Sequence, residues 1–247
     1  EIFAMNYKIE RRQSVTSTMD AIHFLAKQGL PEGVVVMADE QTAGRGRARR
    51  EWFSPQGAAL YCSVLLRPAL APAQLGWLTM IAALAAQDAV TAFAPSPAKT
   101  GIKWFNDVLL NDKKVCGILV ESSFLGQETE YAVLGIGLNI NTSFEDAPLL
   151  VQKKATSLKN ETGIAFDVEQ VMQFWLSRFA ARYASLVAQR QSPAREFARS
   201  LVTLGKPATI HAGERIYEGF AKRIDDDGAL VMEINGKEQR IIFGETV

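Results

Sequence analysis

The sequence predicts an α+β body followed by a small β-barrel. In the body, short apolar runs of strand length alternate with two long segments of helical period. From about Gly205 onward only short strand-like runs remain, separated by turn signals. Between two of the early strands lies residues 43–55, AGRGRARREWFSP, which interleaves glycines with arginines and then sets Trp52 just behind them. That stretch marks where the chemistry is expected.

In chain order, Ser17 within VTSTMD (15–20) is placed to cap a helix through Ala21, Ile22, Phe24, Leu25 and Ala26, which Gly29 and Pro31 stop. Val34, Val35 and Val36 read as a buried strand leading into the Gly-Arg loop. Residues 60–66 form a second strand, ended by Arg67-Pro68, and residues 72–93, rich in Ala, Leu, Met and Gln, a long helix closed off by Pro95 and Pro97. Residues 102–110 then run to a turn at Asn111-Asp112 and a strand over 115–121, a hairpin pattern. Residues 131–140 are a glycine-spaced strand, and glycines inside a strand signal the close approach of another backbone or a ligand. Residues 167–189 carry the clearest helical stripe: Val168, Val171, Met172, Trp175, Phe179, Tyr183, Leu186 and Val187 share one face, and Asp167 with Gln170 fits a capping box. That stripe reads as core. The final strands, 208–211, 216–224, 230–234 and 238–243, are joined by turns of which Asn235-Gly236 is a strong hairpin signal. The division expected is 1–203 for the body and 204–247 for the barrel.

Composition narrows the function. The 247 residues are 48% hydrophobic and 22% charged, as in ordinary globular proteins. Lys+Arg and Asp+Glu both number 27, and a general nucleic-acid binder would be basic, so the arginine cluster is a local device. The two cysteines, Cys62 and Cys116, lie in apolar runs and read as reduced core residues; two distant histidines argue against a zinc site or a Ser-His-Asp triad. The N-terminus lacks a signal-peptide pattern, with residues 1–4 preceding Met5 as an addition. The greasy stretch 78–86 is too short for a bilayer. A cytoplasmic protein without membrane contact is expected.

Four segments carry candidate chemistry, and each alone also has an ordinary structural reading. The Gly-Arg loop offers backbone N–H groups and guanidiniums to a carboxylate or phosphate, or is a solvated basic loop. Lys103-Trp104-Phe105-Asn106-Asp107 joins a lysine, an amide and a carboxylate suited to phosphates and a divalent metal, or is a strand-end turn. Lys113-Lys114 stands before an apolar strand, where an ammonium can enter a pocket, or is a charged hairpin shoulder. Residues 135–141, GIGLNIN, end a buried strand in asparagines that can meet a ribose or phosphate, or simply turn.

Taken in order, these segments resemble the bacterial biotin protein ligases. The matching residues are Ser17-Thr18, Gln41, AGRGR at 43–47, WFSP at 52–55, Lys103-Trp104 and Asn106-Asp107, Lys114 with CGILVE at 116–121, and GIGLN at 135–139. The resemblance runs from about residue 8 to the end. Too few residues precede the helix capped by Ser17 for a helix-turn-helix, so the resemblance is to the short form and DNA binding is not expected.

The resemblance implies a mixed central sheet flanked by helices, an SH3-like C-terminal barrel, and two half-reactions. Biotin attacks the α-phosphate of ATP, and a lysine of a biotin carboxyl carrier domain then takes the biotinyl group from biotinyl-5′-AMP. It implies that Ser17, Thr18, Met19 and Gln41 line the biotin head-group pocket, and that Gly44, Arg45, Gly46 and Arg47 wrap the carboxylate and α-phosphate. Lys114, with Arg45 and Arg47, would be catalytic, and Gly117 would leave room for the biotin rings. Arg50, Trp52, Lys103, Asn106 and Asn139, with Arg47, would serve the nucleotide, with Trp52 against adenine. Asp107 would face Mg²⁺ or the acceptor lysine. The family commonly has Asn, Gly and Pro where this chain has Met19, Arg49 and Phe105, so a polar contact to biotin, the loop's flexibility and the turn at 103–107 should differ; relatives also continue for a short strand beyond Val247. A lipoate–protein ligase would share the fold, but its Arg-Arg-x-Ser-Gly-Gly-Gly loop is missing from this chain. A sensor without turnover, an RNA binder and a homodimer complete the expectations left open.

Overall fold

A computed structural model describes residues 5–247; the reading of residues 1–4 and that of the Arg49 side chain lie outside the described residues. Seven strands form the main sheet: β1 (Lys8–Val15), β2 (Val34–Gln41), β3 (Ala59–Leu66), β4 (Thr100–Lys103), β5 (Asp107–Leu110), β6 (Lys113–Leu125) and β7 (Glu128–Asn139). Their spatial order is β1-β2-β3-β7-β6-β5-β4. The β1–β2 pair is parallel and the rest are antiparallel, so the sheet is mixed.

Helix α1 (Thr18–Lys27) covers one face, burying Met19, Ile22 and Ala26 against β2, β3 and β7. On the other face lie α2 (Gly76–Phe93) and, packed on it, α5 (Val168–Gln189), with α3 (Leu149–Lys154), α4 (Leu158–Thr162) and α6 (Ala194–Ser200) between and after them. The α5 stripe is core as expected: Trp175, Phe179 and Tyr183 stack in sequence with interplanar angles of 15° and 23°. Only Val187 of that stripe is turned to solvent. The segment Pro72–Phe93 has the length and apolarity to cross a bilayer, longer than 78–86 alone suggested, yet 67% of its apolar window is buried inside the protein. Its hydrophobicity is spent on the core. Cys62 and Cys116 are buried and unpaired, and burial holds both thiols well above the usual range.

Three differences from the sequence reading have physical causes. Strand β1 has no apolar signal because it is an edge strand, KIERRQSV, with most side chains in solvent. Residues 102–110 are two strands, β4 and β5, reversed at 104–106; each is too short and too buried to show a break. Helices α3, α4 and α6 span five to seven residues, about two turns or fewer, too little for a period to register.

The C-terminal strands β8 (Pro207–Ala212), β9 (Arg215–Ile224), β10 (Leu230–Ile234), β11 (Lys237–Ile241) and β12 (Glu245–Thr246) form a separate antiparallel sheet, the SH3-like part of the fold. Its order is β11-β10-β9-β8-β12, so β11 and β12 remain edges and hydrogen bonding does not close the expected barrel. Asn235 and Gly236 take φ of 51° and 73°, the primed turn that their sequence signalled. Two indoles tie this sheet to the body: Trp77 Nε1 donates to the Asp226 carbonyl at 2.6 Å and Trp104 Nε1 to that of Gly228 at 3.0 Å. That docking brings β12 over the main sheet beside the Gly-Arg loop.

Candidate active site

The candidate site is a cavity of about 660 Å³ bounded by the end of β2, the Gly-Arg loop, the middle of β6 and β7, and β12. Its chemistry changes from one end to the other. At the inner end the start of α1 meets β2 and β3. Ser17 caps the helix, its hydroxyl accepting from Met19 N at 3.3 Å. Thr18 N and Oγ1 both donate to Gln41 Oε1, at 2.9 and 3.1 Å, and the hydroxyls of Thr18 and Ser63 hydrogen-bond at 2.8 Å. Gln41 Nε2 reaches Ser54 Oγ at 3.4 Å, and Ser54 in turn donates to the Trp52 carbonyl at 2.9 Å. This end is polar and uncharged. Met19 is buried, its sulfur above Gly135, where a Cβ would lie 2.5 Å from it; a thioether there covers the strand and offers no hydrogen bond.

The floor is β6 and β7 at their glycines. Trp52 lies flat over Gly117 and Gly137: a Cβ on Gly137 would come within 2.6 Å of the indole, and one on Gly117 within 2.9 Å. The space above Gly117, expected for the biotin rings, is therefore filled by Trp52, and the indole, expected against adenine, sits instead between the polar end and the cationic end. Trp52 Nε1 is buried there without a hydrogen-bond partner. Lys114 Nζ stands 5.1 Å from the centre of the indole, a cation–π contact.

The Gly-Arg loop is folded into a hairpin, with Gly46 N donating to Arg50 O at 2.7 Å and Trp52 N to Gly44 O at 2.9 Å. Gly44 is required by packing: a Cβ would lie 2.6 Å from Ser54 Oγ and 2.9 Å from Gln41 Nε2. Gly46 has extended backbone and open space around it, so its requirement is not steric here. The three arginines whose side chains are described divide. Arg45 turns back to the body and bonds Glu121 and Asp20. Arg47 lies across the cavity, donating to Gly244 O at 2.9 Å and Asn106 Oδ1 at 3.3 Å with its guanidinium over Phe105. Burial lowers its pKa. Arg50 pairs with Glu245 of β12. Phe105 packs on Trp104 and Phe197 beneath Arg47, an aromatic support for the guanidinium.

The opposite wall gathers Lys103, Asn106, Asp107 and Lys114 from the β4–β5 turn and β6. Lys114 Nζ is 2.6 Å from Asp107 Oδ1 and Lys103 Nζ 3.8 Å from Oδ2. Burial pulls the Lys103 pKa down. Asn106 Nδ2 donates to Ile118 O at 2.7 Å, fixing the turn against β6. Without ligand, Asp107 is thus the counter-ion of two ammoniums; among the described residues no group of three His, Cys, Asp or Glu side chains could hold an ion. Asn139 is buried and donates to Thr156 O at 3.1 Å, tying the end of β7 to the chain before α4.

Sequence reasoning missed Ser63 and Asp20 as site residues; it placed Ser54, Gly135, Gly137 and Glu121 inside matching segments but gave none of them a role of its own. Ser63 could have been found, being the one aliphatic hydroxyl in the apolar run ALYCSVLL. Gly135 and Gly137 carry the signal of glycines inside a strand, and Asp20 carries none.

Residues 10–139 match the Biotin/lipoate A/B protein ligase family, about half the chain and all of the main sheet but the first two residues of β1. A biotin–[acetyl-CoA-carboxylase] ligase of Paracoccus denitrificans is 40% identical over 212 residues, covering 83% of this chain and 85% of that protein. The bifunctional ligase/repressor BirA of Bacillus spizizenii is 35% identical over 223 residues, covering 89% of this chain and 67% of its own. The biotin protein ligase of Aquifex aeolicus, solved in complex with biotin and ATP, superposes with a TM-score of 0.80 at 26% identity, covering 97% of both chains. The chain belongs to the Biotin/lipoate A/B protein ligase family. Within it, the chain falls among the biotin protein ligases, an ATP-using ligase branch.

Proposed function

We infer that this protein joins biotin to ATP, giving biotinyl-5′-AMP and pyrophosphate, and then passes the biotinyl group to a lysine of a biotin carboxyl carrier domain. The observation that carries the reading is the order of chemistry along the cavity: an uncharged polar end, an apolar floor of glycines and indole, then a cluster of cations. Biotin has the same order, with a ureido head, a hydrocarbon tail and a carboxylate. The hydroxyls and amide of Thr18, Ser63 and Gln41 suit ureido groups, which both donate and accept. A dithiolane head offers nothing to that network, which disfavours lipoate.

The carboxylate and the α-phosphate are both anions, so bringing them together needs compensating charge. Arg47 approaches from the loop, and Lys114 and Lys103 from the opposite wall. As the carboxylate oxygen bonds to the α-phosphorus and pyrophosphate leaves, charge builds on the phosphoryl oxygens, where fixed cations act most strongly. Asp107 keeps both ammoniums in place until the nucleotide arrives. Asn106, Asn139 and Arg50 lie at the nucleotide end. Mg²⁺ enters as part of the MgATP substrate, bound through phosphate oxygens, since Asp107 alone makes no resident site. In the second step the acceptor amine attacks the anhydride carbonyl and AMP departs. Neither DNA, a membrane nor a second copy of the chain is needed by this chemistry, and an ATP-dependent enzyme with two reduced buried thiols suits the cytoplasm.

The test is mass spectrometry of the protein incubated with biotin, ATP and Mg²⁺, with lipoate in a parallel reaction. Biotinyl-5′-AMP in the first alone is the expected result. Lipoyl-AMP, or biotin bound without adenylate, would overturn the assignment.

A further inference from the structure

Arg45 differs from Arg47 and Arg50 of its loop in facing away from the cations of the cavity. Its Nε and Nη2 donate to the two oxygens of Glu121, at 3.2 and 3.1 Å, a forked pair. Its Nη1 lies 2.7 Å from Asp20 Oδ1. Glu121 is itself held: His23 Nε2 is 2.8 Å from Oε2, and the other ring nitrogen meets the Tyr131 hydroxyl at 3.3 Å, with the two rings edge to face. With Nε2–H donating to Glu121 and the Tyr131 hydroxyl donating to Nδ1, a neutral imidazole satisfies both contacts. The chain of contacts thus runs from β7 through α1 and β6 to the base of the loop.

Asp20 and His23 are three residues apart on α1, and so share a face of the helix whose first turn forms the polar end of the cavity. The backbone of Arg45 bridges to that of Glu51 across the loop. Whatever holds Arg45 therefore holds both limbs of the hairpin at a set distance from Thr18 and Gln41. The far side of the loop is tied separately, through Arg47 and Arg50 to β12.

We propose that Glu121, helped by Asp20 and His23, is a positioning residue for adenylation, and that Arg45 is its grip on the Gly-Arg loop. The clamp sets the loop backbone and Arg47 over the place where carboxylate meets phosphate. A glycine-rich loop loses much backbone freedom on closing, and a clamp at its base removes part of that cost before substrate arrives. Arg45, expected to be catalytic, becomes a positioning residue, and Arg47 and Lys114 remain to face the reacting atoms. The assignment rests on the biotin-ligase reading for its chemistry, while the clamp itself is a property of the ligand-free fold.

The experiment compares the parent with Glu121→Gln, Arg45→Gln, the double variant and Asp20→Asn in two assays. Limited trypsin digestion without ligand reads the loop, which is rich in cleavable arginines. Biotin-dependent pyrophosphate release gives KM and kcat. Losing one charge-assisted partner should raise the KM for biotin about 3- to 30-fold with a smaller change in kcat, and speed loop cleavage to a similar degree. Asp20→Asn, at an exposed side chain that loses a single bond, should shift both in the same direction by less. The double variant should be no worse than Arg45→Gln. Additive effects of the two single variants, or cleavage and KM equal to the parent's, would overturn the clamp. A parent that makes no biotinyl-5′-AMP would overturn the functional reading instead, and the trypsin assay would still decide the clamp.

Discussion

Replacing Lys114 with alanine should separate catalysis from folding. The lysine contributes little to stability because its side chain is 31% exposed and its bond to Asp107, though 2.6 Å long, is partly screened by water. An ion pair in that setting is worth about 1 kcal/mol at most, and the contact with Trp52 adds about 0.5–1. Asp107 keeps Lys103 at 3.8 Å, so no carboxylate is left without a cation. A loss of about 1–2 kcal/mol lowers the Tm of a chain this size by roughly 2–8 °C. The adenylation barrier should suffer more. Removing one preorganised group from developing charge costs about 2.7–4 kcal/mol, or about 10²- to 10³-fold in rate. Biotin-dependent exchange of pyrophosphate into ATP isolates this half-reaction, and a thermal melt of the same sample gives the stability. Exchange at the parent's rate, or a loss of activity that merely tracks unfolding, would refute the role given to Lys114.

Three further changes test other parts of the site. Gly137→Ala places a Cβ 2.6 Å from the Trp52 ring, so the indole must move about 1 Å into the cavity. Calorimetry should show weaker biotin binding, and an unchanged Kd would mean that the glycine floor does not support the ligand. Arg47→Ala removes the strut between the loop and Gly244, and biotinyl-5′-AMP should leak faster; equal retention by variant and parent refutes the closing role. Glu121 is held at a pKa of about 2, below the ordinary 4.5, by hydrogen bonds from His23 and then Arg45 to its charged form. With the folded pKa depressed, its contribution to stability is complete above about pH 4.5 and is lost as pH falls toward 2. Urea midpoints of the parent and Glu121→Gln should therefore converge over that window, and a constant gap would show that the carboxylate is not held by its charge.

Much of the fold was legible because its signals are local. The Ser17 and Asp167 caps, the primed turn at Asn235-Gly236 and the stripe from Val171 to Leu186 each depend on residues within a few turns of one another. Residues 34–36, 60–66, 115–121 and 131–140 are legible as strands for the same reason: each is the apolar stretch of a strand, some of which extend into polar, more exposed ends. Strand β1 and the short helices were hidden, the first because an edge needs little hydrophobicity, the others because one or two turns carry no period.

The site divides along the same line. Motif and order alone determined that this chain handles an anion beside a Gly-Arg loop with a lysine at a strand mouth, since those residues lie within short segments whose spacing is itself the signal. Only the tertiary structure decided what each side chain does. Arg45 and Arg47 are two residues apart and chemically identical, yet one is bound to Glu121, 76 residues away, and the other to Gly244, 197 residues away. Trp52 rests on two glycines from different strands, and Asp107 answers two lysines on opposite sides of a turn. Which partner a charge finds is set by strand order and by the docking of the second sheet. Those are long-range consequences of burying the core, and no window of sequence contains them.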